Sequence, residues 1–247
     1  MRTRLYIPIA FFVILVTGCS DKLDSEGVSR ITNYAVITLN DPDDQFVLAG
    51  STYAEPGASA TENGTSIDLN IKYQGTYFSS SVSTTLDTSQ PDVYTAIYSA
   101  TNKDGFPGSK TRHVYVAGKG DLVNSIEGIY TSTVVRNGTT GSQYQNMKYV
   151  IIKKTGANTY ELSDAIGGYY DIGRAYGPAY AASGYEITAN DISANDFTFG
   201  DPVPVGPFGG ADELTSMNVD PATKTIKFVA KWDAGYTFEV TLKQVNF

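Results

Sequence analysis

Cysteine and histidine are almost missing from this chain: each occurs once, as Cys19 and His113. A single cysteine cannot form an intramolecular disulfide, so stability has to come from hydrophobic burial. With one imidazole, a Ser-His-Asp triad or a His-based zinc site would have to be improvised, and His113 reads as a surface residue of a strand. Basic side chains are also few: 18 Lys and Arg against 26 Asp and Glu give a formal charge of −8, a surface that repels nucleic acid. No glycine-rich phosphate loop precedes a helix, so nucleotide chemistry is unsupported. Beyond Val16 no apolar run approaches the roughly 18 residues a transmembrane helix needs. These absences leave no cofactor to expect. For metals the one opening is Asp41-Pro42-Asp43-Asp44, which offers hard oxygens for calcium but lacks an EF-hand loop and is equally well explained as an acidic turn.

What is present begins with the apolar run Leu5 to Val16, behind Arg2 and Arg4, closing in Leu15-Val16-Thr17-Gly18-Cys19. A run this short, ending in small residues before the lone cysteine, is the pattern of a secretory signal peptide (residues 1–18) with a lipobox. Cys19 is then the lipidation site and mature N-terminus, and the membrane is a partner through the N-terminal lipid. Losing Arg2 and Arg4 takes the formal charge from −8 to −10. Residues 19–33 are polar, acidic and aperiodic, a flexible tether. Within them Ser20, Asp21 and Asp24 resemble the acid-containing export signal of surface lipoproteins in the Bacteroidota, interrupted by Lys22 and Leu23. The resemblance implies an outer-membrane lipid-anchored, cell-surface position; a periplasm-facing one is the alternative.

The remainder has room for two modest cores, and both halves read as all-β. In residues 34–117 the runs Ala35 to Leu39, Ile67 to Tyr73, Val93 to Ala100 and Thr111 to Val116 are separated by turn formers. Period two puts Tyr94, Ala96, Tyr98 and Ala100 on one face and Val93, Thr95, Ile97 and Ser99 on the other, both partly apolar. Asp87 to Tyr94 resembles the approach to the sixth strand of an immunoglobulin-like sandwich, with Ala96 where antibody domains carry a cysteine. Gly50-Ser51-Thr52-Tyr53-Ala54-Glu55-Pro56-Gly57-Ala58-Ser59-Ala60, followed by Tyr94 to Gly105, resembles the bacterial surface Ig-like family with its G-x-x-Y-x-E-P-G-A-x-A signature. Asp92 stands where that family usually has Gly, and Asn102 where Asp is common. The resemblance implies an Ig-like β-sandwich serving as a stalk. Glu55 reads as a carboxylate that fixes the turn before Pro56, not as a catalytic acid.

Gly118-Lys119-Gly120 marks a linker (118–120), across which few contacts are expected. Residues 121–247 are again β, with candidate strands Gly128 to Val135, Lys148 to Lys153, Thr159 to Leu162, Phe197 to Phe199, Leu214 to Val219, Thr225 to Lys231 and Tyr236 to Leu242. Asn137-Gly138 and Asp220-Pro221-Ala222-Thr223 are turn signals. Ile226, Phe228, Ala230 and Trp232 share a face that Phe238, Val240 and Leu242 match after the turn at Asp233-Ala234-Gly235, which predicts an antiparallel β-barrel or sandwich domain.

Gly167 to Tyr180 has too many glycines for a regular strand and too many aromatics for a disordered linker. Rings on such a loop can stack on the apolar faces of a polysaccharide or oligosaccharide, with Asp171, Arg174 and Asn190 meeting the hydroxyl rim. The candidate ligand-binding residues are Tyr169, Tyr170, Asp171, Arg174, Tyr176 and Tyr180; the other reading packs the tyrosines on the barrel end. Tyr160-Glu161-Leu162-Ser163-Asp164-Ala165-Ile166-Gly167-Gly168-Tyr169-Tyr170 also resembles the C-terminal domain of small Bacteroidota outer-membrane lipoproteins, which implies an architecture and a compartment but no mechanism. Paired carboxylates could be drawn from Glu161, Asp164, Asp171, Asp191 and Asp196, although solvated loop acids are the plainer reading. No catalytic residues are assigned. The expected function is a non-catalytic cell-surface lipoprotein that binds glycan or docks on an outer-membrane uptake complex of the starch-utilisation type. A purely structural or adhesive protein and a glycoside hydrolase are the alternatives.

Overall fold

The computed structural model describes residues 31–247; the signal peptide, Cys19 and most of the tether lie outside them. The N-terminal half holds β1 (Val36–Leu39), β2 (Gln45–Leu48), β3 (Ala58–Glu62), β4 (Thr65–Ser66), β5 (Asn70–Gly75), β6 (Val82–Ser83), β7 (Asp92–Thr101) and β8 (Pro107–Ala117). They form two sheets, β1-β3-β4 and β2-β8-β7-β5-β6, with β2 parallel to β8. Tyr94, Ala96, Tyr98 and Ala100 point into the core between the sheets, as period two requires. The Tyr94 hydroxyl donates to the Gln90 carbonyl at 2.9 Å, the tyrosine corner of Ig-like sandwiches. Glu55 accepts from the backbone N–H of Gly57 and the hydroxyls of Tyr53, Tyr73 and Tyr98, and pairs with buried Arg112. Its carboxylate therefore fixes the turn and ties that turn to the core.

The C-terminal half is one antiparallel sheet built from β9 (Gly128–Arg136), β10 (Met147–Lys154), β11 (Thr159–Leu162), β12 (Tyr185–Asp191), β13 (Asp196–Phe199), β14 (Asp212–Asp220), β15 (Thr225–Trp232) and β16 (Tyr236–Gln244). Its order is β13-β12-β11-β10-β9-β16-β15-β14. The sheet curls into a near-closed barrel. Across the seam, Leu214 N–H donates to the Tyr185 hydroxyl and Val219 N–H to Asn195 Oδ1, so side chains satisfy the edge of β14. The register pairs Ile226, Phe228, Ala230 and Trp232 with Leu242, Val240, Phe238 and Tyr236. All but Tyr236 are buried, as the alternation predicts. Asn137 and Gly138 both take positive φ, which a two-residue hairpin turn demands. Five strands fall outside the predicted runs: β2, β3 and β12, and the two-residue β4 and β6.

One expectation needs correcting. The halves do not meet sparsely: Val93, Tyr115 and Ala117 share a buried cluster with Ile129 and Ile151, flanked by Phe46 and Phe247. Nor does the Gly118-Lys119-Gly120 link read as slack. A Cβ on Gly120 would lie 2.2 Å from the Ser125 carbonyl oxygen, so glycine is needed there for close approach.

Candidate functional site

Gly167 and Gly168 take positive φ, and a Cβ at 167 would strike Val240 and Val134 inside the barrel. Only glycine can press the chain this deeply into the barrel end. The chain then winds wide as a π-helical turn, Tyr169–Gly173, with Gly173 N–H bonded to the Gly168 carbonyl and Arg174 N–H to that of Tyr169. Turns of this kind are rare and frequent at functional sites.

That winding splits the six predicted residues. Tyr169 and Tyr170 are buried in the barrel core. Tyr169 stacks on Tyr144 with centroids 4.2 Å apart, and the Arg136 guanidinium lies between the rings of Tyr169 and Tyr236. Tyr170 meets Phe238 and Trp232 edge-on. Asp171 is buried, and the Tyr77 hydroxyl from the Ig-like half donates to its Oδ2 at 2.5 Å. Arg174 and Tyr176 stand at the surface, and Tyr180 is half-buried. Asn190 is engaged with Asp196 and Thr198 in the β12–β13 hairpin.

Outside the core the rings continue as a connected row. Tyr176 is 49% exposed and Phe208 48%. Tyr180 lies edge-on to both, at 5.2 Å from each, and Phe208 leads on to Trp232 at 6.0 Å and then to Tyr236 at 5.7 Å. The exposed rings rest on buried ones: Tyr170 supports Tyr176 and Phe208 from beneath. Trp232 is fixed by its Nε1–H to the Gly209 carbonyl at 3.1 Å. Sequence reasoning missed Phe208 and the part played by Trp232. The Gly206-Pro207-Phe208-Gly209-Gly210 turn, an aromatic between turn formers, was the available signal.

The acidic candidates also sort differently from a set of solvated loop acids. Asp191 and Asp196 are exposed, and Glu161 pairs with Lys153. Asp164 and Asp171 are buried, as is Asp212, which sequence reasoning did not single out. Burial raises the pKa of Asp164 to about 8 and that of Asp212 to about 7, and Asp171 is raised by the same cause. Asp164 and Asp212 are sealed from solvent and reach no substrate, whereas Asp171 opens on a cleft. Among the described residues the cleft beside Asp171 holds no second carboxylate, and glycoside hydrolysis pairs a raised carboxyl with an ionised one. Asp41 caps the N–H of Asp43 and binds Gln45, an acidic turn, and among the described residues no group of three metal-ligating side chains occurs.

A family model for a C-terminal domain matches residues 119–244, and that of the bacterial surface protein Ig-like domain matches residues 37–116. Neither description names an activity. The crystal structure of the lipoprotein BT2262 from Bacteroides thetaiotaomicron is similar, with a TM-score of 0.64 at 27% identity, covering 85% of this chain and 100% of that one. No curated protein matches.

Proposed function

The chain belongs to the BT2262-like lipoprotein family, and on that premise we propose that it is a non-catalytic, glycan-binding lipoprotein of the outer cell surface. The Ig-like half carries the barrel, and the row Tyr176, Tyr180, Phe208 is the binding platform. The observation that carries this reading is the half-exposure of Tyr176 and Phe208 on a bed of buried rings. An unsupported exposed ring pays side-chain entropy on binding, whereas rings already packed edge to face are held ready to stack on a pyranose. Arg174, exposed two residues before Tyr176 with its guanidinium over the Tyr169 ring at 5.8 Å, supplies N–H donors for hydroxyls. A place beside an outer-membrane uptake complex of the starch-utilisation type follows from the compartment and the ligand class. The burial of Tyr169 and Tyr170 favours a second, purely structural or adhesive reading for that part of the loop.

Affinity electrophoresis of the soluble body in polysaccharide gels, after a glycan-array screen, separates the two. Tyr176→Ala and Phe208→Ala should each weaken a glycan hit by about 1 to 3 kcal/mol with little change in melting temperature. Tyr169→Ala should do the reverse, destabilising the fold by about 3 kcal/mol. If no glycan is retained and the surface variants behave as wild type, the platform reading is wrong. The anchor is tested separately: Cys19→Ala should move the protein from the membrane to the soluble fraction with its body folded, because the lipid attaches outside both cores. Retention in the membrane fraction would remove Cys19 as the anchor.

A further inference from the structure

Between the two halves lies a cleft of about 300 Å³, at the lower end of the size range of small-molecule sites and at an interdomain position where such sites concentrate. Its walls come from both halves: His113 and Thr95 from β8 and β7, Tyr77 from the loop after β5, and Lys148, Tyr149 and Asp171 from the barrel.

Several features show that the cleft is built and not left over from packing. Tyr149 sits at the break in register between β10 and β9. A bulge of this kind turns a side chain out of the ladder, and the Tyr149 ring meets Tyr115 at 5.0 Å and Phe46 at 5.4 Å, both edge-on. Tyr77 is held in place from behind by Asp92, which accepts the backbone N–H groups of residues 76 to 79. Asp171 is 7% exposed and gives one oxygen, Oδ2, to Tyr77. Its Oδ1 has no hydrogen-bond partner among the described residues, although the side chain lines the cleft. A carboxylate on a cleft wall with acceptor capacity to spare can take the hydroxyl of a ligand.

The charge pattern narrows the class. An anion would meet Asp171, and a cation would meet Lys148. A neutral polyol satisfies both, donating to Asp171 and accepting from Lys148 and His113, with its apolar face on Tyr149. We infer that the cleft is a second sugar site, which takes one neutral pyranose unit. The inference rests on the glycan reading for its ligand class, but its residues are separate from the platform.

The test is an amide chemical-shift titration of the soluble body with D-glucose, D-galactose, D-mannose, D-xylose and N-acetyl-D-glucosamine, each alone. At least one should shift the amides of Thr95, His113, Lys148 and Ile172. Lys148→Ala, at an exposed position, and Asp171→Asn should each weaken that sugar by tenfold or more; Lys148→Ala should leave the melting temperature unchanged, which keeps the test valid if Asp171→Asn folds poorly. Shifts confined to Tyr176, Phe208 and Tyr236 would overturn the cleft site and leave the platform standing. Polysaccharide retention without any monosaccharide shift would do the same. Monosaccharide shifts in the cleft without polysaccharide retention would uphold the cleft and overturn the platform.

Discussion

Asp92→Ala should lower the stability of the folded body by about 5 kcal/mol and its melting temperature by roughly 10 to 20 °C. Asp92 is fully buried, and its carboxylate accepts five backbone N–H groups: those of Thr76, Phe78 and Ser79 on Oδ2, and those of Tyr77 and Val93 on Oδ1. Removing it leaves these donors without a partner at a site that water reaches poorly, at a cost of about 1 kcal/mol or more for each. The loop also packs against Gly75, where a Cβ would lie 2.4 Å from the Ser79 carbonyl oxygen, so it has no room to settle elsewhere. Asp92→Asn keeps one acceptor oxygen and should fall between wild type and Asp92→Ala. Thermal and urea melts measure all three proteins, and a loss below about 1 kcal/mol for Asp92→Ala would refute the account. Because the same loop presents Tyr77 to Asp171, the substitution should also disturb the join between the two halves.

Asp92 shows where sequence reasoning stops. At a position where the resembling family carries Gly, an aspartate reads as one more turn former, since four of its five partners lie on a loop 13 to 16 residues earlier. The strand faces were legible because alternation is local: Ile226 to Trp232 and Phe238 to Leu242 announce their own pairing. The same alternation is present in β12 as Tyr185, Ile187 and Ala189, but it is short and bounded by the turn formers Gly184 and Asn190-Asp191. β3, Ala58–Glu62, is built from small and polar residues and carries almost no strand signal. The Tyr-rich loop was visible as a place, but its division into core and surface was not. That division depends on a π-helical turn, which sets Tyr169 and Tyr170 inside and Tyr176 outside. It depends equally on Phe208 and Trp232, which join the row from distant parts of the chain.

The protein should be most stable near pH 4, and should lose stability on going to pH 8. Asp212 lies in the barrel at the start of β14, with neither carboxylate oxygen hydrogen-bonded, and Asp164 has only its Oδ1 satisfied, by the N–H groups of Ile166 and Ala182. Desolvation opposes their charged forms and lifts the pKa from the ordinary 3.8 to about 7 for Asp212 and about 8 for Asp164. In the unfolded chain both ionise near their ordinary value, so between pH 4 and pH 8 the folded state holds more protons and stability falls as pH rises. The contribution is complete below about pH 4 and is lost as pH passes through the folded-state values. At about 1.4 kcal/mol per pH unit, Asp212 alone accounts for about 4 kcal/mol. The acid side is set by surface turns: Asp87, Asp191 and Asp220 accept hydrogen bonds from neighbouring backbone and hydroxyl groups that hold their pKa values below the ordinary one, so their contribution is lost as pH falls below about 4. Asp212→Asn removes the charge without changing the shape. It should raise stability at pH 8, leave it near wild type at pH 4, and flatten the profile between. Urea melts at pH 4, 6.5 and 8 decide the matter: a wild-type maximum at pH 8, or an Asp212→Asn profile as steep as wild type, would show that Asp212 ionises freely in the fold.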